Sequence, residues 1–127
     1  MKTIFAVDDN SLNLLLVDEV LSDHFDVITM SSVSTMFELF ENIIPDLILL
    51  DIMMPDINGL DALDKLKADA QYAKIPVIFL TSRNDTATEA LGYEKGIADF
   101  IKKPFLETDL LKSIKKILEP ETVNPAQ

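Results

Sequence analysis

Three aspartates, a hydroxyl and a lysine stand where apolar runs in this chain break off. Asp8-Asp9 follow Ile4 to Val7, and Asp51 follows Leu47 to Leu50. Thr81-Ser82 follow Ile75 to Leu80, and Lys102-Lys103-Pro104 follow the weaker run Ala98 to Ile101. If these runs are neighbouring strands, their ends meet. Carboxylates held close repel one another, and some take up protons unless a cation intervenes. Mg2+ suits such a set, because it takes hard oxygen ligands, one or two carboxylates among them, and keeps places for water and phosphate oxygens. That partly open coordination serves phosphoryl transfer. An ammonium such as Lys103 neutralises one phosphoryl oxygen, and a hydroxyl such as Thr81 donates to another. Carboxylates also act as covalent phosphoryl acceptors. The inventory suits a transient aspartyl phosphate.

What must position these groups is a set of short strands alternating with helices. A further apolar run, Val27 to Met30, brings the strands to five. Continuous runs of this length suit strands buried on both faces. Between them lie helical patterns. Leu12, Leu15, Leu16 and Val20 mark the first. Val33, Met36, Phe37, Phe40 and Ile44 mark the second, with serines to cap its start. Leu60, Leu63 and Leu66 mark the third, and Ala87, Ala90 and Leu91 a weak fourth that begins near Asp85. Leu110, Ile114, Ile117 and Leu118 mark the fifth, which Pro120 stops. Strict βα alternation predicts an α/β fold: a doubly wound parallel sheet of five strands with helices on both faces. The flavodoxin-like (βα)5 order 2-1-3-4-5 leads, and it places ligands beyond the carboxyl ends of strands 1 and 3.

The 127 residues suit one domain, expected over 1–119, with 120–127 as a tail or linker stub. A net charge of -11 argues against direct nucleic-acid binding by this chain alone. There is no cysteine, which excludes disulfides and thiolate chemistry. The apolar start, Ile4 to Val7, is too short for a signal peptide or a membrane span, so a cytoplasmic place away from the membrane is expected.

The chain resembles the receiver domain of two-component response regulators (CheY-like) from Lys2 to about Leu118. The matching segments are Val7-Asp8-Asp9-Asn10, Asp51-Ile52-Met53-Met54-Pro55-Asp56-Ile57-Asn58-Gly59, Pro76-Val77-Ile78-Phe79-Leu80-Thr81-Ser82, and Gly96 to Phe105 with Lys102-Lys103-Pro104 inside it. The resemblance implies that Asp51 is the phosphoacceptor. Asp8, Asp9, Asp51 and the Met53 main-chain carbonyl would hold Mg2+, for which Mn2+ can substitute. Lys103 would contact the phosphoryl group, and the Lys103-Pro104 bond would be cis. Pro55 and Gly59 would shape the loop, glycine being free to take a positive φ. Thr81 and Phe100 resemble the switch pair. Thr81 would move toward the phosphoryl group and Phe100 would turn inward, which repacks the surface of helix 4, strand 5 and helix 5. Met53 and Arg83 would tune the phosphoryl lifetime. The donor would be a phosphohistidine on a sensor histidine kinase or a histidine phosphotransfer protein, and the output a downstream effector or a fused domain. Such a switch is not an enzyme with turnover, although it promotes its own phosphorylation and dephosphorylation.

Other residues suit quieter roles. His24 reads as a solvated turn residue, Lys102 as a surface charge, and Lys112, Lys115 and Lys116 as a solvated face. Met30, Met36 and Met54 read as packing residues. Helix 5 shows no sign of the arginine-bearing charge network by which one class of transcription-factor receivers pairs. A haloacid dehalogenase-type hydrolase would need Asp-x-Asp after the first strand, where this chain has Asp8-Asp9-Asn10. An FMN carrier would need a hydroxyl-rich loop at the same place. An interaction module that works without phosphorylation would have no need of the acidic set.

Overall fold

The computed structural model describes residues 1–82 and 85–119; Arg83 and the 120–127 tail with Pro120 lie outside the described residues. The apolar runs form five strands: β1 Thr3–Val7, β2 Asp26–Met30, β3 Leu47–Leu50, β4 Val77–Thr81 and β5 Asp99–Lys102. All pair in parallel, in the order β2-β1-β3-β4-β5. Five helices cross between them: α1 Ser11–Leu21, α2 Val33–Leu39, α3 Gly59–Ala68, α4 Thr86–Lys95 and α5 Glu107–Leu118.

Alternate residues of each central strand feed opposite faces of the sheet. Phe5, Val7, Ile48, Leu50, Val77 and Phe79 pack on one side with Met36, Leu63 and Leu66 from α2 and α3. Ile4, Ala6, Leu47, Leu49, Ile78 and Leu80 pack on the other with Val17, Leu21, Leu110 and Ile114 from α1 and α5. β3 and β4 are buried at every position. Burying each large side chain of this kind is worth about 1.5–3 kcal/mol, so the centre of the sheet contributes heavily to the stability of the fold.

Helix starts follow local chemistry. Asn10, Ser32, Asn58 and Asp85 each accept a bond from a backbone N–H in the first turn of the helix that follows. α4 ends at Gly96, whose φ of 104° is the left-handed conformation glycine takes without strain.

One sequence expectation needs correction, and two predicted helices form but bury residues other than their apolar markers. The pattern Val33 to Ile44 overruns α2, which stops at Leu39 and leaves Ile44 exposed beyond it. The marker leucines of α1 do not face the core: Leu12 is 69% exposed, Leu15 60% and Leu16 48%, while Val17 and Leu21 are buried. In α4, the marker Ala87, Ala90 and Leu91 are exposed, and Thr88 and Gly92 meet the core instead. Gly92 serves there because a Cβ would lie 2.8 Å from Ile97 Cδ1 and 3.2 Å from the Phe79 ring.

Candidate functional site

Strand pairing sets the site. Val7 pairs with Leu50, and Thr81 pairs with Lys102, so the ends of β1, β3, β4 and β5 lie along one edge of the sheet. The backbone continues this order for one more residue. Asp8 N–H donates to the Met30 carbonyl at 3.1 Å, Asp51 N–H to Val7 at 3.0 Å, and Lys103 N–H to Thr81 at 2.9 Å. Asp8, Asp51 and Lys103 are thus placed by the sheet itself.

Their side chains meet. Lys103 Nζ donates to Asp8 Oδ2 at 2.5 Å and to Asp51 Oδ2 at 3.1 Å. Asp51 Oδ1 accepts from Met53 N–H at 3.1 Å, and Asp8 Oδ1 from Asn10 N–H at 2.9 Å. Both carboxylates are buried, and the Asp9 side chain completes the group from solvent. Burial pushes the Asp8 carboxyl above the usual range, helped by the charge of Asp51 and opposed by Lys103 and the Asn10 amide.

The donor set fits a hard divalent ion. One oxygen from each of Asp8, Asp9 and Asp51 lies within 4.8 Å of the others. Three carboxylates against one ammonium leave about two negative charges when all are ionised, the charge a single divalent cation balances. The open depression above them is also lined by Asn13, Ser82 and Met53.

The remaining predicted residues fall around this centre. Thr81 is fully buried at the end of β4. The Lys103-Pro104 bond is cis. Phe100 is 8% exposed and meets Phe79 edge-on, with centroids 6.4 Å apart. Its ring lies among the core side chains. Met53 is 54% exposed beside Asp51. Pro55 stands exposed in the loop. Gly59 is required for a different reason from the one expected: its φ is not positive, but a Cβ would sit 2.7 Å from Ile52 Cα and 2.8 Å from the Asp51 carbonyl oxygen. Close approach of two backbones, fixed by Gly59 N–H to the Ile52 carbonyl at 2.8 Å, excludes a side chain there. His24 lies in an exposed turn away from the site.

Sequence reasoning missed two features. Asn10 both caps α1 and donates to Asp8, a role that an Asx residue ahead of a helix could have signalled. Leu16 and Val20 of α1 line a groove with Pro104 and Phe105, Leu12 and Leu15 are exposed on the same helix, and Leu106 nearby in sequence is 67% exposed. Contiguous exposed apolar surface is a common feature of protein–protein interaction sites.

The response regulator receiver domain family matches residues 4–115. The DNA-binding response regulator MtrA of Mycolicibacterium smegmatis is 33% identical over 125 residues, 98% of this chain and 54% of its own. The transcriptional regulatory protein CpxR of Escherichia coli is 38% identical over 117 residues, 92% of this chain and 49% of its own. The chain thus spans about half the length of these relatives. Among solved structures, the BeF3-activated receiver domain of DrrB superposes with a TM-score of 0.85 at 29% identity, covering 94% of this chain and 98% of that one. The chemotaxis protein CheY4 of Vibrio cholerae gives 0.86 at 25% identity, covering 93% and 99%. In motif, fold and family match alike, this chain belongs to the response regulator receiver domains, the signalling switches of two-component systems.

Proposed function

We propose that Asp51 accepts a phosphoryl group from a phosphohistidine on a sensor histidine kinase or a histidine phosphotransfer protein, and that the new charge resets the α4–β5–α5 surface for an effector or a fused output domain. The supporting observation is the shared ammonium: Lys103 holds Asp8 and Asp51 together in a buried pocket whose third carboxylate, Asp9, faces solvent. An Asp51 carboxylate oxygen attacks phosphorus. The O–P bond forms as the P–N bond to the donor imidazole breaks, and the nitrogen keeps the electron pair and takes a proton. The Met53 amide fixes the plane of the Asp51 carboxylate, and Lys103 follows the charge onto the phosphoryl group. Asp8, Asp9, Asp51 and the Met53 carbonyl are the groups to hold Mg2+ or Mn2+. When bound, the ion offsets charge on the transferring oxygens.

The Thr81 hydroxyl then turns to a phosphoryl oxygen, and Phe100 of β5 shifts against Phe79. Return to the resting state needs water to attack phosphorus and restore the carboxylate. Met53 offers that water no polar group, so self-dephosphorylation is slow, with Arg83 placed by sequence to cover the phosphoryl group. The phosphodonor docks on Leu12, Leu15, Leu16 and Leu106, exposed apolar side chains on α1 and just after Lys103-Pro104. The place of action is the cytoplasm; among the described residues no helix is long and apolar enough to cross a membrane.

Beryllium fluoride tests this reading. With Mg2+ it forms a phosphoryl mimic on a working acceptor, so amide resonances near Asp51, Thr81 and Phe100 shift in the wild type. The same shifts in Asp51→Ala would overturn the assignment.

A further inference from the structure

The loop that leaves β3 is tied to a helix from the far side of β1. The Asp56 carboxylate is exposed, yet it accepts from Ser34 N–H at 3.0 Å, the Ser34 hydroxyl at 3.0 Å and Val33 N–H at 3.4 Å. These donors belong to the first turn of α2, whose own cap, Ser32, reaches only Thr35. The first N–H groups of a helix lack intrahelical partners, and a carboxylate there also meets the positive end of the helix. Burial raises the Asp56 carboxyl, but the bonds from Ser34 and Val33 outweigh it and hold it below the usual range.

The loop has a second anchor. Gly59 N–H and Met54 N–H both donate to the Ile52 carbonyl, which closes the loop on itself. Met53 lies between the two anchors, with its N–H on Asp51 Oδ1. One anchor fixes where the loop starts and ends; the Asp56 clamp fixes where its outer part stands relative to the sheet edge.

We infer that Asp56 is a positioning residue for the divalent cation: by clamping the loop to α2 it sets the place of the Met53 main chain at the ion site. The inference rests on the phosphoacceptor reading of Asp51 and adds a residue that touches neither ion nor phosphorus. Residues that orient metal ligands in this way commonly govern metal affinity without contacting the metal.

Mg2+ affinity measured by calorimetry tests it, alongside thermal stability without the ion and phosphorylation by acetyl phosphate over a range of Mg2+. Asp56→Ala is expected to weaken Mg2+ binding about tenfold, with Ser34→Ala weakening it less, while the rate at saturating Mg2+ stays near the wild type. Asp61→Asn, which removes an exposed charge from the first turn of α3, controls for charge alone and is expected to leave the affinity unchanged. Wild-type affinity in Asp56→Ala would overturn the inference. So would an equal loss in Asp61→Asn, or a reduced saturating rate with the affinity intact. Ser34→Ala keeps the question answerable if Asp56→Ala does not fold. A wild type that binds no Mg2+ would instead overturn the reading beneath it.

Discussion

α1 and α5 cover the same face of the sheet and solve the task differently. α5 buries Leu110, Ile114 and Leu118 and turns Lys112 and Lys116 to solvent. Its first turn carries Glu107 and Asp109 and its last turn Lys115 and Lys116, which complements the helix dipole. α1 buries only Val17 and Leu21, and spends three further leucines on its outer surface. An apolar outer face gains nothing for the isolated fold and invites association. α5 thus pairs a buried apolar face with a charged outer one, whereas α1 is apolar on its outer face as well. The distinction matters because both helices begin at the edge that carries the acidic cluster, α1 just after Asp8-Asp9 and α5 just after Lys103-Pro104.

The contrast can be broken by substitution. Ile114→Ala in α5 should cost about 2–5 kcal/mol of stability, read from denaturant unfolding, because it opens a cavity against the sheet. Leu15→Ser with Leu16→Ser in α1 should change stability by only about 0.5 kcal/mol. The same pair should slow phosphotransfer from a phosphorylated histidine protein about tenfold, as loss of an interface anchor does, and leave acetyl phosphate labelling unchanged. Equal slowing with both donors would place the α1 leucines in the chemistry instead. Met53→Asn sharpens the division between site and surface: it should speed phosphate loss several-fold, followed by intact mass, by offering the attacking water a polar group. A slower variant would contradict the slow-release reading.

The smallest effect is expected from acid. The folded Asp56 carboxyl lies below its ordinary value, so its contribution to stability is present above the ordinary carboxylate range and fades as pH falls through the lowered folded value. The difference in unfolding midpoint between wild type and Asp56→Asn should therefore shrink on acidification. A difference that grows would reverse the sign assigned to the clamp.

These differences also show what the sequence could carry. β3 and β4 were legible as continuous apolar runs because they are buried on both faces. Asp8, Asp51 and Lys103 followed directly, since a residue just past a parallel strand must lie at the ligand edge. The buried side of α1 was not legible: with leucine at positions 12, 14, 15 and 16, apolar periodicity names no single face. α4 hid its core contact for the opposite reason, since Thr88 and Gly92 carry no apolar signal. The Asp56 clamp was invisible because its partners lie more than 20 positions upstream, and only the fold brings them together.

Intact-mass measurement after incubation with acetyl phosphate and Mg2+ tests the central claim most directly. The wild type should gain one phosphoryl group, and Asp51→Ala or chelation of the metal should abolish the gain. A gain of the same size in Asp51→Ala would contradict the account.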